Sequence, residues 1–385
     1  MNATRLRPAC LAAVLFAAGC APHPAPQAAA PLPTTLREAF QGAFLVGAAV
    51  NADQFSGRDE RGAALVRAQF SSVTPENVLK WESVHPQPGV FDFAAPDRYV
   101  AFGEQSGMAV IGHTLVWHSQ TPRWVFQDSA GRPVSRDTLI GRMREHIQTV
   151  VGRYRGRIRG WDVVNEALNE DGSLRRTPWQ SIIGDDYIAM AFRFAHEADP
   201  NAELYYNDFS LENAPKRQGA VALIRRLLAE GVPVTGIGSQ DHVQMDWPTT
   251  AQLDSTLTAF GQLGVKVMIT ELDVDVLPRA TQQRGADVSL NVAARVDLNP
   301  YAAGLPDSVQ RALAQRYADL FGVYYRHRGT LTRVTFWGVT DGDSWKNNWP
   351  VRGRTNYPLL FDRDGRPKPA FDAVMRVARA PAAER

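Results

Sequence analysis

Cysteine is nearly absent from this chain. Among 385 residues there are two, Cys10 and Cys20, both in the first twenty positions. The rest has no thiol for a disulfide, a thiolate metal site or a cysteine nucleophile. Excess charge of one sign is also missing. Lys and Arg number 42 against 40 Asp and Glu, a formal net charge of +2, so neither nucleic acid nor an acidic surface is expected as the main partner. No G-x-G-x-x-G or P-loop follows an apolar run, which removes the usual phosphate-cradling loops. No H-x-H or H-E-x-x-H occurs, and His113 and His118 would face opposite sides of a regular extended segment. Neither a metal nor an organic cofactor is expected.

What is present is ordinary for a globular chain: 44% hydrophobic and 21% charged residues. The length suits two average domains or one large α/β barrel, which takes about 250 residues and up to about 400 with insertions. Nine tryptophans are generous. Some belong to a core; others offer flat apolar faces on which a sugar ring can stack. Arg5 and Arg7 precede an apolar stretch over 9–18, too short to span a bilayer, in the layout of a secretory signal. It ends Phe16-Ala17-Ala18-Gly19-Cys20, which resembles a bacterial lipoprotein cleavage site with Cys20 as the lipidated first mature residue. Ala17 stands where such sites usually carry leucine, so plain cleavage near Ala18 stays open. Residues 1–20 are thus read as a signal and 21–35, rich in Ala and Pro, as a semi-rigid tether. The expected location is exported: periplasmic, outer-membrane-anchored or secreted, touching a membrane only through the lipid.

From residue 36 short β-rich runs alternate with longer helical patterns. Strands are predicted over 44–50, 70–73, 109–117, 158–164, 202–206, 234–239, 265–270 and 333–339, and helices over 139–154, 186–197, 214–230, 250–263 and 307–327. Several strands are almost wholly apolar, as strands buried on both faces are. Eight βα units predict a single closed (β/α)8 barrel over 36–380 rather than an open doubly wound sheet. A long insertion after the seventh strand, 276–306, is expected to lie beside the site.

In such barrels chemistry sits at the C-terminal strand ends. The fourth strand ends Trp161-Asp162-Val163-Val164-Asn165-Glu166 and the seventh Ile269-Thr270-Glu271-Leu272-Asp273. Each places a glutamate after an apolar run, and strands four and seven face each other across the mouth. Glycoside hydrolysis needs two such carboxyls flanking the scissile bond. Strand alternation puts Gln240 and His242 on one face and Glu271 and Asp273 on one face. His242 can then sit between Asp273 and Glu271 and hold Glu271 ionised. Asn165 can donate to a sugar 2-hydroxyl. Repulsion from an ionised Glu271 is expected to raise the pKa of Glu166.

Six ordered motifs carry a more specific resemblance. They are 74–82 (Thr-Pro-Glu-Asn-Val-Leu-Lys-Trp-Glu), 112–118 (Gly-His-Thr-Leu-Val-Trp-His), 161–167, 240–242, 269–273 and 336–341 (Phe-Trp-Gly-Val-Thr-Asp). Together they resemble glycoside hydrolase family 10, from about Leu36 to Ala378. The resemblance implies a retaining endo-1,4-β-xylanase acting on xylan and xylo-oligosaccharides; a monomer is expected. It implies Glu166 as acid/base and Glu271 as nucleophile, oriented by His242 and Asp273. Asn77 and Lys80 would bind the outer glycone sugar. His113, Trp117, Asn165, Gln240 and His242 would line the cleavage subsite, and Trp337 and Trp345 would wall it against a hydroxymethyl group. A cis peptide at His113–Thr114 is also implied. Asn207-Asp208-Phe209-Ser210 departs from the family's usual Asn-Asp-Tyr-Asn; if Phe209 is a leaving-side platform, a hydroxyl is lost there. Rival readings are a metal-dependent hydrolase, a non-catalytic sugar-binding lipoprotein, and the same mechanism acting on β-1,4-glucan.

Overall fold

A computed structural model describes residues 1, 33–281 and 286–379. Cys10, Cys20, the signal beyond Met1 and most of the tether lie outside the described residues. Nine strands run β1 Leu45–Val50, β2 Ser72–Pro75, β3 Ala109–Val116, β4 Gly160–Asn165, β5 Glu203–Asp208, β6 Gly236–Ser239, β7 His242–Gln244, β8 Lys266–Asp275 and β9 Leu331–Phe336. Every pairing is parallel. The order β6-β5-β4-β3-β2-β1-β9-β8 closes through β6–β8, so the sheet is an eight-position barrel. β6 and β7 share one position, interrupted at Gln240-Asp241, and β7 continues along β8 with His242 opposite Asp273.

All eight predicted strands are present, with ends shifted. The largest shift is in β8. The apolar run stops at Thr270, yet the ladder continues to Asp275 because β7 supplies partners to residues 273–275. Glu271 therefore lies within a strand rather than at its end. The five predicted helices are found as Arg136–Arg153, Tyr187–Ala198, Ala214–Ala229, Thr250–Gly261 and Asp307–Arg326. Arg136–Arg153 shows why: Ser135 caps its first turn by accepting from Thr138 N, and Leu139, Met143, Ile147 and Val150 form one buried stripe at helical spacing. Burying each such side chain contributes about 1.5–3 kcal/mol. Glu60–Gln69, Ala94–Gln105 and Pro369–Arg379 are further helices beyond the five predicted.

The barrel interior is packed. Arg333 of β9 lies with its guanidinium 5.6 Å from the Tyr205 ring of β5, a contact that must cross the interior because these strands are not neighbours. Gly112 of β3 stands opposite Trp161 of β4. A Cβ there would fall 2.0 Å from Trp161 Cε3, and Trp161 is fully buried. Gly112→Ala should therefore destabilise the barrel by about 1–3 kcal/mol through overpacking, read as a lowered denaturant midpoint at unchanged slope. An unchanged midpoint would mean that Trp161 can shift freely.

Candidate active site

One cavity of about 160 Å³ opens at the C-terminal mouth and collects side chains from most of the barrel. It is lined by Glu166 and Glu271 and by all nine residues expected to bind sugar: Asn77, Lys80, His113, Trp117, Asn165, Gln240, His242, Trp337 and Trp345. Asp273 stands behind His242. Glu76, Gln120, Ala286 and Val288 line it too and were not singled out from sequence.

Asn165 and Glu166 are adjacent, so regular strand alternation would send them to opposite faces. Glu166 instead adopts φ 58, a left-handed conformation uncommon for a non-glycine residue, and both side chains reach the same cavity. Its carboxylate is buried. Oε2 accepts from Trp117 Nε1 at 2.8 Å, and Oε1 accepts from Asn165 Nδ2 at 3.1 Å and Gln240 Nε2 at 3.0 Å. Burial still dominates and, with the Asp208 carboxylate nearby, pushes the Glu166 pKa up to about 7 against the hydrogen bonds from Gln240 and Trp117. The expected repulsion by Glu271 is present but is the smallest of the named causes. Removal from water, more than the charge opposite, keeps this acid protonated.

Glu271 is equally buried but shifted the other way. Burial alone would raise it. The hydrogen bond from His242, the nearby charges of His113 and His242, and Asn207 outweigh that, and the carboxyl falls below its ordinary 4.5. His242 Nε2 lies 3.1 Å from Glu271 Oε2, and its Nδ1 lies 3.0 Å from Asp273 Oδ2. Burial would lower the imidazole, yet Asp273 and Glu271 together raise it. A protonated ring donating from both nitrogens satisfies both carboxylates. Asp273 is held in turn by Trp345 Nε1 at 2.7 Å and lies 3.7 Å from Lys346 Nζ.

Asn207, at the end of β5, joins the two halves. Its Nδ2 donates to Glu271 Oε1 at 2.8 Å and to Asn165 Oδ1 at 2.9 Å, while Thr270 Oγ1 donates to its Oδ1 at 2.6 Å. An unbroken chain thus runs Glu166–Asn165–Asn207–Glu271. Asn207 stands in the Asn207-Asp208-Phe209-Ser210 stretch, where no local pattern marks this task.

The remaining wall is fixed by stacking and charge. Lys80 is buried, and its Nζ donates to Asn77 Oδ1 at 3.1 Å and Gln120 Oε1 at 2.8 Å, 5.0 Å from the Trp117 ring centroid. The next residue, Trp81, anchors it, lying parallel to His146 at 3.7 Å. His113 Nδ1 bonds Asp162 Oδ2 at 2.9 Å, and the His113–Thr114 peptide is cis. The His113 ring stands edge-on to Trp337 at 5.2 Å, and Trp345 stacks on Trp349 at 4.5 Å. Trp81, Trp161, Trp179 and Trp247 are buried. Phe209 is no open platform. It is buried, and Lys216 Nζ sits 3.6 Å from its ring centroid, held there by Asp208 at 3.0 Å. A sugar cannot take the face that the ammonium covers. Among the described residues no group of three or more His, Cys, Asp or Glu side chains is arranged to hold a metal ion.

A closed parallel barrel with two buried carboxyls of opposed acidity facing one Trp-walled cavity defines a barrel glycosidase. Comparison with known proteins makes this particular: the profile of glycosyl hydrolase family 10 matches residues 35–377, and the chain belongs to that family. Endo-1,4-beta-xylanase A of Xylanibacter ruminicola is 43% identical, over 89% of this chain and 93% of its own length. The endo-1,4-beta-xylanase of Geobacillus stearothermophilus is 41% identical, over 89% and 98%. Among solved structures, a family 10 endoxylanase from a sugarcane soil metagenome superposes with a TM-score of 0.87 at 42% identity, covering 89% of this chain and 99% of that one. Xylanase XynB of Paenibacillus barcinonensis, complexed with a conduramine derivative, gives 0.80 at 38%, covering 89% and 98%.

Proposed function

We infer that this chain is an endo-1,4-β-xylanase that cleaves internal β-1,4-xylosidic bonds of xylan with retention of configuration. The observation that carries the reading is the pairing in one cavity of a carboxyl raised to about 7, Glu166, with one held below 4.5, Glu271. Near neutral pH one is an acid and the other a charged nucleophile, the division that double displacement needs. Glu271 attacks the anomeric carbon as Glu166 protonates the departing glycosidic oxygen. Glu271 is then esterified and has lost its charge. Glu166, now ionised, takes a proton from water as the water attacks the same carbon and Glu271 departs.

The other side chains support this cycle by their placement. His242, clamped by Asp273, keeps Glu271 charged and aimed. Asn165 and Gln240 fix Glu166, and the buried side-chain oxygen of Gln240, Oε1, has no hydrogen-bond partner among the described residues, which leaves it for a sugar hydroxyl. Asn77 and Lys80 bind the outer glycone ring. His113 and Trp117 line the ring being cleaved. Trp337 and Trp345 leave little room for a hydroxymethyl group, which favours xylose over glucose. Rates on xylan and carboxymethyl cellulose test that preference; equal rates would remove it.

The pH profile tests the division of labour. Activity requires Glu166 protonated, so kcat/KM should fall as pH rises through about 7. It requires Glu271 ionised, so kcat/KM should fall again only below about 4.5. A profile flat across pH 5–9 would contradict the assignment of Glu166, and an acid-side fall beginning well above pH 4.5 would contradict that of Glu271.

The N-terminus supports a further proposal for residues outside the described part. Residues 1–20 are an export signal of lipoprotein type, Cys20 carries the lipid, and 21–35 tether a monomeric catalytic domain to the membrane surface. The mass of the mature N-terminal peptide decides between lipidated Cys20 and plain cleavage.

A further inference from the structure

The insertion after β8 does more than lie beside the cavity. Ala286 and Val288 line it, although nothing in the insertion's composition marks them out. Between them Asp287 is fastened on two sides. Its backbone oxygen accepts from Trp349 Nε1 at 3.2 Å, and its carboxylate lies 3.8 Å from Arg175 Nη1. Ser289 donates to the same carboxylate through its N–H at 3.0 Å and its hydroxyl at 2.7 Å. A few residues on, Val292 N donates to Pro350 O at 2.8 Å.

These partners belong to opposite walls. Arg175 follows β4 and Trp349 follows β9, the fourth and eighth positions of the barrel, which are diametrically opposed. A segment tied to both, and contributing to the cavity lining between them, crosses the mouth. The size of the cavity agrees. Pockets for drug-sized ligands run about 300–1,000 Å³, and this one measures about 160 Å³. The crossing segment presents a methyl and an isopropyl group to the cavity, whereas the floor beneath is made of carboxyl, amide and imidazole groups. It offers a sugar bulk and no side-chain hydrogen bond. Asp287 is ionised at neutral pH: burial would raise its pKa, but the Ser289 donors and the Arg175 charge outweigh that and lower it.

We propose that Asp287 is a specificity-determining residue: by clasping Ala286–Val288 between Arg175 and Trp349 it narrows the cleft, so that short linear xylo-oligosaccharides are favoured over xylan carrying bulky side groups. A bare chain of xylose rings is slim enough to pass beneath the crossing segment. A ring bearing a pendant sugar must first displace it. The proposal rests on the xylanase reading above and adds which members of that substrate class are admitted.

The test compares kcat/KM on linear xylohexaose and on arabinose-substituted xylan for the wild type, Asp287→Ala and Trp349→Phe. Asp287→Ala cuts the tie to Arg175, and Trp349→Phe removes the other tie while keeping a ring against Trp345. The expected result is a rise of at least about threefold in the ratio of substituted xylan to xylohexaose in both variants, with xylohexaose kcat changed less than about twofold by Asp287→Ala; a threefold ratio corresponds to about 0.65 kcal/mol of differential barrier. An unchanged ratio, or a parallel change on both substrates, overturns the proposal. Wild-type protein with no activity on either substrate would instead overturn the xylanase reading itself, so the two failures are distinguishable.

Discussion

Replacing Glu271 by alanine should lower kcat/KM on an aryl xylobioside by about 10⁵-fold, close to 7 kcal/mol of transition-state stabilisation at 1.36 kcal/mol per decade. No neighbouring carboxylate can take over. Asp273 is turned to His242 Nδ1 and Trp345 Nε1, and Glu166 is engaged by Trp117, Asn165 and Gln240. The truncation opens a space on the nucleophile's side of the sugar, bounded by His242 and Asn207, that a small anion can enter. Added azide should therefore restore turnover and yield a glycosyl azide of inverted configuration, because only one displacement then occurs. Folded Glu271→Ala protein that gives neither rescue nor the α-azide would exclude this residue as the nucleophile.

The second large effect belongs to Glu166. Glu166→Gln keeps a planar side chain among the same neighbours but has no proton to give. On xylan, whose leaving group is a poor one, kcat should fall by about 10³-fold, within the range for losing a general acid. On an aryl glycoside with an acidic phenol the first step needs little protonation. Glycosylation should then be nearly spared, and a burst of phenol should precede a slow steady state. The base limb near pH 7 should vanish as well. That last readout matters because Glu76, half-buried on the same cavity, is also raised to about 7 by burial and the nearby Asp343, against the pull of Lys80. A limb that survives in Glu166→Gln and disappears in Glu76→Gln would move the acid to Glu76.

Much of this architecture is written locally in the chain. Strands buried on both faces read as short apolar runs, and all eight barrel positions announce themselves that way. Their limits are less legible because the ladder does not stop where apolarity does: β8 carries Glu271, Asp273 and Asp275 as strand residues only because β7 runs alongside. Ala94–Gln105 escaped notice for a local reason. Pro96 and Gly103 interrupt its pattern, and Phe93 supplies no side-chain cap. The site was readable where one motif holds a whole task, as at 161–166 and 269–273. It was not readable where a task is shared between distant segments. Asn207 matters through partners on β4 and β8. Phe209 loses its open face to Lys216, whose position depends on Asp208 and Glu170. Ala286 and Val288 sit in an unremarkable stretch, and only the ties to Arg175 and Trp349 bring them over the cavity.

The rim of the barrel holds a set of uncomfortable backbones. Gln120, Glu166, Ser210 and Asp241 all have left-handed φ angles between 45° and 58° without being glycine, at about 1 kcal/mol or more each. Three of these residues sit just past β4, β5 and β6, and the fourth follows β3. The upper edge of the molecule is thus under tension that the apolar lower storeys must restrain. Selection for heat tolerance alone would relax these corners with glycine or asparagine, and the hydrolytic machinery would slacken with them.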